Sequence, residues 1–272
     1  MNKYLMIFLM ILLMSSQRGQ TQTITNLYRA IVPAEQGEEV TTHEPLKQAL
    51  MQILIKISGN HKIVADPTIK AKIEQADRLV LQYEYQTIND QSVLSVQFDE
   101  VAVKKLLRTA GSPIWSGNRP DWLMWIVLET EGGQRQVVLN EEEQANEVTS
   151  IKTQAVQRGL PVLFPVLDFE DRANLKMADI TTGIKDPVIT IAKRYGVKVI
   201  CTGWLFTSLE SSQLEGHWRL YIVEDAKEFS WKNSDTDLAK LLSAATDKAI
   251  DNISDYFLTT SGKKTPTTET ST

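Results

Sequence analysis

With Cys201 as its one cysteine, the chain has no intrachain disulfide and no second thiol for a zinc site. Histidine is also scarce: His43, His61 and His217 stand alone in their segments, and no two share helical spacing. No Gly-x-Ser-x-Gly elbow is present, and Cys201 lies inside the apolar run Val199-Ile200-Cys201-Thr202, where a thiol acts as a small hydrophobe. Nucleophilic catalysis needs a base beside its nucleophile, and nothing here supplies one. The Gly132-Gly133 pair reads as a hairpin turn, and a nucleotide site is not indicated. Lys and Arg number 29 against 34 Asp and Glu, and the basic residues are scattered. Nucleic acid calls for a concentrated basic surface, so that class of partner is set aside. These absences point to a protein that is no enzyme and has no cofactor or metal.

What is present begins with a leader. Met1-Asn2-Lys3 is cationic, Tyr4 to Met14 is unbroken apolar sequence, and Ser15-Ser16-Gln17-Arg18-Gly19 is polar with small side chains. That order is the pattern of a signal peptide, here residues 1–20, and the run is too short for the roughly twenty residues of a membrane-spanning helix. The processing site is poor, since Met14 lies two residues upstream of a cut at Ser16. Cleavage is the favoured outcome and an uncleaved inner-membrane anchor the alternative. No cysteine follows the apolar core, so no lipid is attached there. The expected location is the periplasm, with membrane contact only through partners or an uncleaved leader.

Length and composition, with 42% hydrophobic and 23% charged residues, fit a globular chain of two domains. The first is expected over residues 24–115. Ile24 to Val32 reads as a strand; Leu46, Ala49, Leu50, Ile53, Leu54 and Ile57 then recur at helical spacing after Thr41 or Thr42, and Gly59-Asn60 stops the helix. Leu79, Leu81, Tyr83 and Tyr85 alternate with polar residues, Asn89-Asp90 turns the chain, and Leu94, Val96 and Phe98 alternate again, which predicts a hairpin. Asp99 caps a helix carrying Val101, Leu106 and Leu107, ended by Gly111-Ser112-Pro113.

The turn-rich stretch Trp115-Ser116-Gly117-Asn118-Arg119-Pro120 marks a boundary, and the second domain is expected over residues 120–258. Trp122 to Leu128 is continuously apolar and predicts a central strand covered on both faces. A helix over Glu141 to Arg158, a strand over Leu160 to Leu167, a helix over Asp186 to Tyr195 and a strand over Val197 to Phe206 follow. Trp218, Leu220 and Ile222, then Phe229 and Trp231, mark two further strands, and Leu238 to Phe257 forms an amphipathic helix. The order β-α-β-α-β-β-β-α predicts an α/β fold with a parallel part wound first and an antiparallel meander after it. Thr259 to Thr272 is threonine-rich without apolar periodicity, and a disordered tail is expected.

Several stretches together resemble a family of exported proteobacterial proteins catalogued as a domain of unknown function. They are Gln48-Ala49-Leu50 through Lys56-Ile57-Ser58-Gly59-Asn60, Val96 to Asp99 with Leu106-Leu107-Arg108, Trp115 with Arg119-Pro120 and Trp125, Pro165 to Asp171, Ala192 to Gly196, Gly203 and Trp218. The resemblance implies an envelope protein and brings no catalytic residue with it. In element order, the half from Trp122 to Phe257 is similar to the small α/β domain of the TolB amino-terminal domain, curli-export lipoproteins and lipoprotein activators of cell-wall synthases. That likeness implies a role in binding other envelope proteins.

Three places stand out as candidate contact sites. Asp168-Phe169-Glu170-Asp171 gathers three carboxylates after a strand end, where they cap the next turn or, alternatively, form an acid/base or cation site. Trp115 stands beside Arg119 in the linker, as a plug of the interdomain cleft or as an anchor for a partner. Tyr256-Phe257 closes the last helix next to the expected tail. The leading expectation is an accessory subunit of an envelope assembly or secretion complex. The alternative is an enzyme or binder acting on cell-wall glycan, with peptidoglycan as partner, through Asp168, Glu170 and Asp171.

Overall fold

A computed structural model describes residues 27–34, 43–88, 90–115, 117, 119–130 and 135–261. The leader at 1–20, the helix cap at Thr41 or Thr42 and tail residues 262–272 lie outside the described residues.

The first unit is an antiparallel sheet with helices on one face. Strands β1 (Arg29–Pro33), β2 (Val80–Ile88) and β3 (Gln91–Phe98) run in the order β1-β3-β2. Helix α1 (His43–Ser58) lays Ala49, Leu50, Ile53, Leu54 and Ile57 on Val32, Leu94, Val96 and Phe98, all of them buried. The opening strand starts at Arg29 rather than Ile24, after a turn at 27–28. The stretch between α1 and β2, where the sequence shows no clear periodicity, folds as a 3-10 turn at His61–Ala65, α2 (Pro67–Ile73) and a second 3-10 turn at Ala76–Leu79. Asp66 starts α2 by accepting from the amides of Thr68 at 2.8 Å and Ile69 at 3.1 Å.

Three expected core positions are outside the core. Leu81 is 63% exposed because the register shifts between Val80 and Gln82, a bulge that takes it off the ladder; Tyr83 and Tyr85 then pair with Val96 and Leu94, but Tyr83 is 50% exposed and only Tyr85 packs on the core. In α3 (Glu100–Thr109), Val101 is 75% exposed and Val103 takes the inner position, one helical turn before Leu106 and Leu107. Asp99 caps α3 as expected, accepting from the Ala102 amide at 2.8 Å.

The second unit is a three-layer α/β/α sandwich. Its six strands are β4 (Trp122–Thr130), β5 (Arg135–Val138), β6 (Val162–Leu163), β7 (Val199–Thr207), β8 (Leu214–Ile222) and β9 (Lys227–Asp235). The path is β5-β4-β7-β8-β9, with β6 alongside the start of β4. β4, β6 and β7 are parallel, and β7-β8-β9 is an antiparallel meander, as the element order predicts. One face is sealed by α4 (Ala145–Gln157) and α8 (Leu238–Ser261), whose Val148, Ile151, Leu242, Ala245 and Ile253 pack on Trp122, Met124, Ile126 and Trp218. The other carries α5 (Phe169–Asn174), α6 (Met177–Thr182) and α7 (Lys185–Arg194) over Leu123, Trp125, Val127 and Ile200.

Several bounds differ from the expectation. The strand expected over Leu160 to Leu167 is two residues long, and the chain after it turns into α5 and α6, which the sequence reading did not assign. The helix expected from Glu141 starts at Ala145, since the Asn140 side chain accepts from the amides of Glu142 and Glu143 at 2.9 and 3.0 Å and forms a turn. The last helix continues through Ser261, four residues past Phe257, so Thr259, Thr260 and Ser261, expected in the tail, are helical. Among the described residues, no helix is long and apolar enough to cross a membrane.

Candidate functional site

Trp115 and Arg119 sit at the junction of the two units, 4% and 6% exposed. The Trp115 ring joins the core of the sandwich, while its amide donates to Ile57 O at 2.7 Å. The Arg119 guanidinium lies 4.3 Å from that ring and donates to Gly159 O at 2.7 Å and Lys56 O at 2.6 Å, tying both units together. Arg158 continues the seam, donating to Asp251 at 2.7 Å and to Asp247 on α8 and to Gly59 O at 3.3 Å on α1's end. Gly59 has φ +72°, and a Cβ there would lie 2.9 Å from the Trp115 ring, so the close approach requires glycine. Burial, with Arg119 adding its charge, lowers the Lys56 ammonium to about 8. Burial also lowers Arg119, to about 10, which leaves it protonated at neutral pH. The junction is a seam of hydrogen bonds and stacking.

The three carboxylates of Asp168, Glu170 and Asp171 come together around Arg194. Asp168 caps α5 by accepting from the Asp171 amide at 2.9 Å, and that amide, with the guanidinium beside it, holds its carboxyl below the usual range. Arg194 pairs with Asp168 and Asp171 and, at 3.1 Å, with Glu170. Asp171 is fully buried and also accepts from Leu167 N at 2.9 Å and Tyr195 Oη at 2.6 Å. Burial and that carboxylate raise the Tyr195 hydroxyl to about 12. The network holds Leu167 at φ +58°, a strained backbone for leucine, and leaves its neighbours Val166 and Phe169 74% and 89% exposed.

Tyr256 and Phe257 are half-buried against the sandwich core, and Tyr256 donates to Asp225. His43 is exposed at the start of α1, His61 pairs with Asp251 at 2.9 Å, and His217 lies on β8. Cys201 is fully buried, and burial pushes its thiol up. Among the described residues, no group of three or more His, Cys, Asp and Glu is placed to hold a metal ion.

The surface best suited to a ligand was not singled out from sequence. α5, α6 and α7 cover the sheet over β4, the start of β7 and Tyr221 on β8, and the face beyond them is more open. There the Trp204 and Phe206 rings lie 4.4 Å apart and tilted by 32°, with His217 edge-on at 5.4 and 5.1 Å. All three are half-buried, and Trp204 Nε1 donates to Glu129 at 3.0 Å. Burial lowers the His217 imidazole, with the Lys232 charge adding to it, so the ring is neutral at neutral pH. Trp125 shares this face, since it pairs with Thr202 while Val127 pairs with Trp204. It lines a cleft of about 430 Å³ with Val138, Asn140, Leu167, Leu175 and Met177, to which Glu143, Arg172 and Lys176 bring charge. The Trp125 indole N–H is buried and makes no hydrogen bond among the described residues. Arg158 Nε, His217 Nε2 and Trp231 Nε1 are in the same state among the described residues, so the orphaned N–H does not by itself mark a ligand site. The open area lies toward the carboxyl ends of parallel β4 and β7, where α/β sheets hold their ligands.

The sequence does carry a signal for this surface. Val197 to Phe206 reads as buried on both sides, yet the neighbouring strands alternate, with Glu215, His217 and Arg219 facing out. Residues paired with an outward set share its face, which places Trp204 and Phe206 there.

A search of curated proteins finds no match. Among solved structures, the chain is similar to the crystal structure of TolB from Acinetobacter baumannii, with 11% identity and a TM-score of 0.27 over 49% of this chain. The match spans 28% of that structure, and an overlap this weak carries no argument about fold or role. The family likeness is met in the first unit and does not extend to Pro165–Asp171 or Ala192–Gly196: residues 21–116 match a family described as Domain of unknown function (DUF8605).

Proposed function

We propose that this is a non-enzymatic protein of the cell envelope, periplasmic after export by its leader, that works by binding other envelope components. The role that fits is an accessory subunit of an assembly or secretion complex. The observation that carries the reading is the open part of the sandwich face, where Trp204, Phe206 and His217 form an aromatic platform on the same sheet face as the Trp125 cleft. Large aromatic rings held rigid by a sheet are the residue types that dominate protein interfaces, because they bury much area at little entropic loss. Exposed Val166 and Phe169, held by the Arg194 network beside the cleft-lining Leu167, add apolar surface.

The glycan reading has less support, since every carboxylate of its acidic cluster is paired with Arg194 and Asp171 is closed off from solvent. The test is a pull-down from native envelope after crosslinking, comparing the wild-type chain with a Trp204→Ala, Phe206→Ala double variant whose folding is checked by circular dichroism. Loss of the recovered partner in the folded variant supports the reading. Unchanged recovery moves the binding surface elsewhere and contradicts it.

A further inference from the structure

We propose that β2 pairs edge to edge with β2 of a second copy of this chain, in antiparallel register centred on Glu84. Among the described residues β2 is bonded on one side only, to β3, so its other edge offers a nine-residue row of backbone donors and acceptors. Other edges carry protection: β1 has five residues and ends in Pro33, β5 has four, and β9 bears Lys227 and Lys232. β2 has no proline and no lysine, and it exposes Leu81, Tyr83 and Ile88 by 63, 50 and 40%.

The occupant is argued from the strand's own order. Around Glu84 the sequence Val80-Leu81-Gln82-Tyr83-Glu84-Tyr85-Gln86-Thr87-Ile88 reads nearly alike in both directions: Tyr83 mirrors Tyr85, Gln82 mirrors Gln86, and Val80 mirrors Ile88. A two-fold axis through Glu84 therefore sets Tyr83 opposite Tyr85 of the second copy, twice, on the inner face that already holds Val96 and Leu94. On the outer face glutamine meets glutamine. The bulge at Leu81 lies beyond Gln82, so residues 82 to 86 are free to form a regular ladder. At the axis two Glu84 carboxylates oppose each other, each eased by a Gln86 amide that donates to its own Glu84 at 2.6 Å. The product is one sheet of β1-β3-β2 continued by β2-β3-β1 of the copy, with the helices of both on one face. A single strand pair buries little area, so the equilibrium belongs to the weak, transient class of interfaces.

The register gives a sharp test with the full chain. Copies of residue 84 would lie about 4.5–5.5 Å apart at Cα, within disulfide reach, whereas copies of residue 82 would lie about 13 Å apart. Cys201 is buried and does not compete. Under mild oxidation at low concentration, Glu84→Cys is expected to convert to a disulfide-linked dimer while Gln82→Cys stays monomeric. Sedimentation velocity is expected to show a reversible dimer that Tyr83→Lys abolishes without changing the melting temperature, and that Glu84→Gln tightens about fivefold. Equal crosslinking at 82 and 84, or an unmodified chain that stays monomeric at high concentration, overturns the proposal. So does a β2 edge that binds an extended peptide of another protein while the chain itself remains monomeric.

Discussion

The two faces of the six-stranded sheet are built from similar residues and finished differently. On the face under α4 and α8, Trp122 donates to Leu160 O at 3.0 Å, and Trp218 donates to Asn233 at 2.7 Å and stacks at 6.2 Å on Trp231, whose own N–H is buried without a partner among the described residues. On the opposite face Trp125 keeps an unpartnered N–H over a cleft, and Trp204 lies half open beside Phe206 and His217. The helices explain the contrast. α8 runs from Leu238 to Ser261 and spans the meander, while α5, α6 and α7 are short: they bury Tyr221 on β8 but leave Trp204, Phe206 and His217 half open. Stability is concentrated on the first face, and surface for a partner is left on the second.

The largest effect is expected on the sealed face. Trp218→Ala should lower unfolding free energy by about 4 kcal/mol in urea titrations, because it empties a fully enclosed site under α8. A loss near that of an exposed side chain would break the contrast between the faces. Next is the Arg194 network: Asp171→Ala leaves the guanidinium without its buried partner and should remove about 3 kcal/mol by the same assay. It should also free the loop at Val166, read as faster hydrogen exchange of the Val166 and Leu167 amides that Tyr195 and Asp171 hold.

The junction gives a pH signature. Lys56 has a folded value of about 8, below its ordinary 10.5, so between those values the unfolded chain binds the extra proton. Stability from this group therefore rises with pH across that window, by about 2 kcal/mol from pH 8 to 10. Cys201, raised by burial, acts in the opposite sense above the ordinary thiol range, so the quantity to measure is the difference between wild type and Lys56→Met. Wild-type stability should rise relative to that of Lys56→Met as pH rises through this window, in denaturation series at fixed salt. A difference independent of pH would mean that Lys56 is solvated. The smallest effect belongs to the open face, where Phe206→Ala should change stability by only about 1 kcal/mol.

Periodicity made the frame legible, because the residues that set it obey one rule each. Leu46 to Ile57 repeat at helical spacing and pack as one stripe, and Leu94, Val96 and Phe98 alternate and face α1. Where local chemistry competes with pattern, the reading slipped. The bulge at Leu81 moves a residue that alternation assigned to the core, and the Asn140 turn delays α4. The path through α5 and α6 depends on Arg194, which is distant in sequence from the carboxylates it gathers. Trp115 and Arg119 were visible as a pair, but their burial depends on contacts with Lys56 and Gly159 that no local pattern reveals. The open face stayed hidden because an apolar strand looks the same whether or not a helix covers it.

The claim that the uncovered face is the binding surface is tested most directly by a photo-crosslinking side chain placed at Phe206 in living cells, with Val156 on α4 as an exposed apolar control. The account predicts a discrete adduct with an envelope component at 206, lost when Trp204 is changed to alanine and not seen at 156. No adduct at 206, or the same adducts at both positions, would contradict it.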